Sequence, residues 1–328
     1  MNIKELAAYA NVSVATISRV LNDDVRVKKE TRERVKRAIA ETGYTTNTLG
    51  RNLRISKSDV VLVVMPDMEN PFYADIVEGI DERCRQYGFS AMVCNTYDSH
   101  EKLQYYCGYI EKKQARGVIL VSPTWKRDYG FLRGRPIVSC CESSDSLPCA
   151  QVDIDNVQAG YDATKYLLSL GAKRIALIGG GKVAASSDKR ERGFRLAAEE
   201  ACVKVDESLV LDNCFRYEEA LAASRKLLAE NPPDAVFATS DEMAIACMNV
   251  AEEKGLRVPE DIKIIGFDNI RFSTFVKPKL STVDQPRYDI GVNAVEQLVK
   301  VLNGTPTQLT MCPYKLIRRG STEKGEEK

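Results

Sequence analysis

Ser13, Val14, Ala15, Ser18, Arg19 and Asn22 share one side of a helix drawn from residue 13, while Val12, Thr16, Ile17, Val20 and Leu21 share the other. The first side can do recognition chemistry. Its small residues let a helix sit deep in a DNA major groove, where Ala and Val methyls meet a thymine methyl. An arginine there bonds guanine O6 and N7, or a phosphate. Catalytic chemistry has much less to work with. His100 is the single histidine, which leaves little room for His-centred machinery. Gly179-Gly180-Gly181-Lys182 is followed by Val183, where a phosphate loop needs Ser or Thr and wider glycine spacing, so it reads as a tight strand exit. No catalytic residue, metal site or cofactor is expected, and the chain does not read as an enzyme. The ten cysteines contain no CxxC pair, and Cys140 and Cys141 are adjacent, which suits buried, reduced thiols rather than zinc or a disulfide framework.

The recognition face needs elements to hold it. Asn2 with Glu5 three residues on is a capping-box pattern, and Ile3, Leu6, Ala7 and Ala10 recur at helical spacing behind it. Asn11-Val12 interrupts the pattern at a residue that tolerates a left-handed turn. Ser13 can cap a second helix to about residue 21, and a third is expected over 30–42, with Val35, Ala38 and Ile39 apolar and Gly43 as its stop. Two short helices across so brief a turn are the helix-turn-helix pattern. Charge agrees. Residues 1–57 carry 12 basic and 6 acidic side chains, against 35 and 40 in the rest, so a basic head precedes a mildly acidic body.

From Asp59 onward the pattern changes. The apolar run 60–65 reads as a buried parallel strand, too short to span a membrane, and no secretory signal is visible, so a cytoplasmic protein is expected. Helices are expected over 72–87 and 101–113, and strands over 89–94 and 117–121. A second series follows: helix 157–170, strand 174–178, helices 189–202 and 217–230, strand 235–238, helix 241–254 and strand 262–267. A helix over 291–302 and a strand over 314–317 close the chain. Alternation of this kind makes an α/β protein with doubly wound parallel sheets, in two lobes. Ligands in such sheets bind beyond the carboxyl ends of the strands, so Asn70-Pro71-Phe72-Tyr73 is a candidate pocket segment.

Ile3-Lys4-Glu5-Leu6-Ala7 and Asn11-Val12-Ser13-Val14-Ala15-Thr16-Ile17-Ser18-Arg19-Val20-Leu21-Asn22, with Glu30-Thr31-Arg32-Glu33-Arg34-Val35 and Gly43-Tyr44, resemble the opening signature of the LacI/GalR family of bacterial repressors. The resemblance implies a helix-turn-helix head over 1–45, a hinge helix over 46–57, a periplasmic-binding-protein-like core of two lobes over 58–320 and a short charged tail over 321–328. It implies a DNA-contacting set of Ser13, Val14, Ala15, Thr16, Ser18, Arg19 and Asn22 in the head. Asn47, Arg51 and Leu53 join them in the hinge, where Leu53 matches a leucine that wedges into the minor groove at the operator centre; the plain alternative is a linker residue. Wedging of this kind kinks DNA at a cost of about a few kcal/mol per step. The chain departs from the pattern at Thr46, where Pro is usual, and at Gly50, where Ala is usual; glycine costs a helix interior about 1 kcal/mol relative to alanine. Gly50→Ala is therefore expected to tighten operator binding and weaken induction.

The same resemblance implies a homodimer on a palindromic operator and a small-molecule effector in the cleft between lobes, with chain crossovers near residues 156, 285 and 318. Arg190-Glu191-Arg192-Gly193-Phe194, Thr239-Ser240-Asp241 and Gly266-Phe267-Asp268-Asn269 match family elements. They imply that Arg190, Asp241 and Asp268 bond effector hydroxyls and that Phe72 lines the pocket. Core packing for Phe72 and a helix cap for Asp268-Asn269 are the alternatives. Carboxylates, arginine and aromatic faces suit a sugar. The stretch from Val258-Pro259 through Arg271 to Gln285-Pro286 and Tyr288-Asp289-Ile290-Gly291 resembles the catabolite-control branch of the family, whose members answer to a serine-phosphorylated HPr-type phosphocarrier. A phosphoprotein corepressor is thus the alternative partner, with Arg271 as its contact. A sugar-binding or sugar-converting protein with an incidental helical head is the third reading.

Overall fold

Asn2 closes the first helix as its spacing to Glu5 demands. In the computed structural model its Oδ1 accepts the amides of Lys4 and Glu5 at 2.9 and 3.1 Å, and the Glu5 carboxylate accepts the Asn2 amide at 2.9 Å. The structure describes residues 1–21, 23–44, 58–123, 128–181, 184–212, 214 and 216–323. Asn22, Lys182, Val183 and the expected hinge with Thr46, Asn47, Gly50, Arg51 and Leu53 lie outside them. The chain divides into two units, Met1–Lys57 and Ser58–Lys328.

In the first unit, α1 (Ile3–Tyr9), α2 (Val14–Leu21) and α3 (Lys29–Thr42) enclose Leu6, Ala7, Ala10, Ile17, Val20, Val35 and Ala38. Asn11 makes the expected left-handed turn at φ 48°, and Gly43 ends α3 at φ 61°. Ser13 Oγ accepts the Thr16 amide at 3.1 Å, capping α2.

The second unit holds two six-stranded sheets. The chain lays down β1 (Val60–Met65), α4 (Phe72–Gln86), β2 (Ser90–Asn95), α5 (His100–Cys107), β3 (Gly117–Val121), β4 (Ile137–Cys140) and β5 (Ala150–Asp153). It then crosses to build α6 (Asn156–Ser169), β6 (Ile175–Ile178), α7 (Ala185–Glu200), β7 (Val210–Leu211), α8 (Tyr217–Leu227), β8 (Ala235–Ala238), α9 (Asp241–Glu253), β9 (Lys263–Asp268) and β10 (Ser281–Asp284). It returns as α10 (Arg287–Leu302), packed on α4, and β11 (Thr310–Met311), and crosses last to β12 (Lys315–Ile317). The sheet orders are β11-β5-β4-β3-β1-β2 and β12-β10-β9-β8-β6-β7, with every pair parallel except β10 with β12. Continuous burial of β3, β6 and β8, and of β1 from Val61 onward, is what a parallel sheet covered on both faces requires.

Three expectations shift. The third crossover falls between Met311 and Lys315 rather than near residue 318, because a two-residue strand completes the first sheet just before it. The helix expected to run to residue 113 ends at Cys107, after which turns lead to Lys113 at φ 55°. The core does not stop at residue 320. Ser321 and Thr322 are 0% and 2% exposed, and Ser321 Oγ donates to the Ile264 carbonyl at 2.6 Å while accepting the Ser281 amide at 2.8 Å. These two residues satisfy polar groups beside β9 and β10 that burial would otherwise leave unpaired.

Candidate effector cleft and nucleic-acid interface

Ser13, which caps α2, and Ala15 and Arg19 on it are exposed, and Thr16 and Ser18 are half-buried. Thr16 Oγ1 lies 2.8 Å from Ser13 Oγ, so its hydroxyl belongs to the start of the helix. Val14, expected on the outer face, packs against the rim of the head core with Val12 and Leu21. Arg26 and Arg32 are paired with Asp24 and Asp23 at 2.6 and 2.7 Å. Lys28, Lys29, Arg34, Lys36 and Arg37 stand exposed along α3, a cationic surface suited to phosphates.

In the second unit, strand ends from both sheets surround a cleft of about 400 Å³. Phe72 and Tyr73, at the start of α4, meet edge to face with ring centroids 5.3 Å apart. The Asn70 side chain sets that start by accepting the Phe72 amide at 2.9 Å. Arg190 enters from α7. Its Nε donates to Asn156 Oδ1 at 2.8 Å and its Nη1 to the Thr239 carbonyl at 2.7 Å, and its guanidinium lies 3.6 Å over the Phe267 ring. Asp268 Oδ1 is 3.8 Å from Arg190 Nη1 and accepts Gln285 Nε2 at 2.7 Å. Burial is the leading influence on both partners: it lowers the Arg190 pKa and pushes the Asp268 carboxyl up to about 6 despite the neighbouring cation. Asp268 takes φ 111° and Asn269 φ 53°, a backbone reversal that brings the carboxylate to the cleft; neither residue caps a helix.

Phe72, Arg190 and Asp268 therefore line one cavity, and Asp241 does not. Its side chain turns inward. Oδ1 accepts the Thr282 hydroxyl at 2.6 Å and Oδ2 the Ile270 amide at 2.8 Å, and the residue is 0% exposed. It ties the start of α9 to β10 and to the segment after β9, beneath the cleft wall. Ser240, just before it, is the residue that caps α9.

Glu142, which no sequence pattern marked, lines the cleft beyond the end of β4. Its carboxylate accepts both the amide and the hydroxyl of Ser186 on α7, at 2.7 and 2.6 Å. Burial pushes its pKa up to about 7, against the lowering effect of those bonds. Two further links join the lobes. Lys189 Nζ donates to the Ser143 carbonyl and hydroxyl at 2.7 and 2.6 Å, and Arg287 bonds Asp75 at 2.6 Å as well as the Asp268 carbonyl. The cleft is thus a polar and aromatic chamber whose walls are joined by bonds reaching from one lobe to the other.

Two family descriptions match the chain: "Bacterial regulatory proteins, lacI family" over residues 2–47 and "Periplasmic binding protein-like domain" over 164–322. The chain is 33% identical to catabolite control protein A of Priestia megaterium, over 98% of this chain and 99% of that protein. It is 34% identical to the HTH-type transcriptional repressor CytR of Escherichia coli (strain K12), over 98% and 96%. A solved structure titled transcriptional regulator CelR-cellobiose complex is similar at 32% identity, with a TM-score of 0.75 and coverage of 98% and 99%.

Proposed function

Because the chain belongs to the LacI family of bacterial regulatory proteins and is a DNA-binding transcription regulator, we propose that it acts in the cytoplasm as a dimeric repressor on a palindromic operator, governed by a carbohydrate bound between its lobes. The cleft carries this reading: an arginine–aspartate pair on one wall and aromatic faces on the other suit a ring with hydroxyls along its edge and C–H faces. A relative solved with cellobiose supports the same ligand class. The head presents Ser13, Ala15 and Arg19 to the major groove, with Asn22, Asn47, Arg51 and Leu53 completing the DNA contacts. A ligand that touches both lobes favours their closed arrangement and shifts the population competent for DNA. One observation favours a second reading, a phosphoprotein corepressor: Arg271 is exposed beside Phe272 and Phe275, which are 49% and 59% exposed.

Arg19→Ala tests the assignment. In a gel-shift competition it loses about 1–3 kcal/mol of discrimination between operator and random DNA. The ligand-induced rise in melting temperature stays intact. Loss of both together defeats the idea of an independently reading head.

A further inference from the structure

The charges around the cleft say more about the ligand than its class, on the premise that it is a carbohydrate. Among the described residues the lining carries the carboxylates of Asp67, Asp98, Glu219 and Asp268, and Glu142 as a carboxyl about half protonated near pH 7, against the guanidiniums of Arg190 and Arg216. Arg190 is already engaged: two of its three nitrogens bond Asn156 and Thr239, and its charge sits against Asp268. Arg216 is exposed and its own amide bonds the Glu219 carboxylate at 3.2 Å. Of the described cations near the cleft, Arg287 and Lys189 are held by Asp75 and by Ser143 and Asp153, and Lys102 lies over the Tyr97 ring, 4.5 Å from its centroid. Behind the wall the repulsion is direct. Asp268 and Asp67 both push the Glu242 carboxyl upward, in addition to burial, and Asp268 does the same to Asp241.

The site is also built to take a partner. Asp268 and Arg190 are each 7% exposed and line the cavity, yet Asp268 Oδ2 and Arg190 Nη2 have no hydrogen bond to any described residue. Together they form a donor–acceptor pair for a ring edge. Phe72 and Tyr73 add aromatic faces that attract cations, whereas the Tyr97 ring already carries Lys102. An anionic group entering this chamber meets an excess of carboxylates in a partly desolvated space, where Coulomb energies are several-fold larger than in bulk water.

We propose that the cleft prefers a carbohydrate carrying a protonated amine to its neutral counterpart, and rejects its phosphorylated one. The experiment is calorimetry and thermal shift on the full chain with matched series near neutral pH. One series is glucosamine, glucose and glucose phosphate; the other is chitosan disaccharide, cellobiose and cellobiose phosphate. In the series that binds, the amine is tighter than the neutral sugar by about tenfold, the phosphate weaker by about tenfold or more, and both gaps shrink as salt is raised. Asp98→Asn narrows the amine's advantage without abolishing neutral-sugar binding. A phosphate that binds as tightly as the neutral sugar, or an amine that binds no better, overturns the preference and leaves the carbohydrate reading standing, provided Arg190→Ala removes that binding. If no member of either series binds, the carbohydrate reading falls, and the preference with it.

Discussion

The two lobes are one framework used twice with different chemistry. Strand for strand, β1 to β5 and β11 of the first sheet take the places of β6 to β10 and β12 in the second. The frameworks part only at the last strand, which joins the first sheet parallel and the second antiparallel. At the cleft the correspondence persists in the backbone and ends in the side chains. β4 runs into Cys141 at φ 70° and then Glu142; β9 ends in Asp268 at φ 111°. Each reversal carries a carboxylate to the cavity. Glu142 meets hydroxyl and amide donors from the opposite lobe, whereas Asp268 stands beside a guanidinium of its own lobe. The framework therefore fixes where a polar group sits, and the local sequence decides whether it latches the lobes or receives a ligand.

Glycines that let helices touch break this comparison most strongly. A methyl on Gly193 of α7 would overlap the Val157 carbonyl and the Tyr161 amide of α6; a methyl on Gly79 of α4 would overlap the Tyr288 carbonyl of α10. Overpacking of a close crossing costs about 1–3 kcal/mol, occasionally more. Gly193→Ala and Gly79→Ala are both expected to lower stability by about 3 kcal/mol in denaturant titrations. Only Gly193→Ala should also weaken effector binding, because Arg190 lies one turn earlier on the same helix. Equal loss of effector affinity in both variants would mean that the lobes share the ligand contacts evenly.

A smaller effect separates the walls of the cleft. Arg190→Lys keeps the charge but not the fork that bonds Asn156 and Thr239 while leaving one nitrogen for a ligand. Effector affinity measured by calorimetry should fall by about 2 kcal/mol, close to thirtyfold. Phe72→Leu, on the other wall, removes a ring face while keeping an apolar side chain, and is expected to cost about 1 kcal/mol of binding. Reversal of that order would place the specific contacts in the first lobe.

The architecture was legible because buried parallel strands and amphipathic helices leave periods in the sequence. The short strands β4, β5 and β10 were not, since Ser139, Asp153, Ser281 and Asp284 interrupt them with polar residues. Arg190, inside α7, and Asp268, at the end of β9, were found through family patterns. Asp241 came from the same kind of pattern, yet one residue at a helix start can turn toward solvent or inward, and here Thr282 and Ile270 draw it in. Glu142 left no local signal. Its significance comes from Ser186, 44 residues away, and only the crossing of the chain between lobes brings the two together.

The finest test sets Glu142 against Asp268 through proton linkage. The Glu142 carboxyl titrates near 7 in the folded chain against an ordinary 4.5, and that of Asp268 near 6 against 3.8. Between the ordinary and the raised value the native state keeps a proton that the unfolded chain has lost. The unfolded state binds fewer protons in that window, so each group makes stability fall as pH rises. The fall due to Asp268 is complete soon above pH 6, whereas that due to Glu142 continues to about pH 7. Glu142→Gln should flatten the profile up to about pH 7, and Asp268→Asn only up to about pH 6. At pH 7 Glu142→Gln should gain about 1 kcal/mol, relief of the buried charge outweighing one weakened bond to Ser186. Thermal melts at half-unit steps of pH read the difference. Parallel profiles for the two variants between pH 6 and 7, or a wild-type stability that climbs with pH only below about 4.5 relative to Glu142→Gln, would show that the bonds from Ser186 outweigh burial and keep Glu142 ionised as a permanent latch between the lobes.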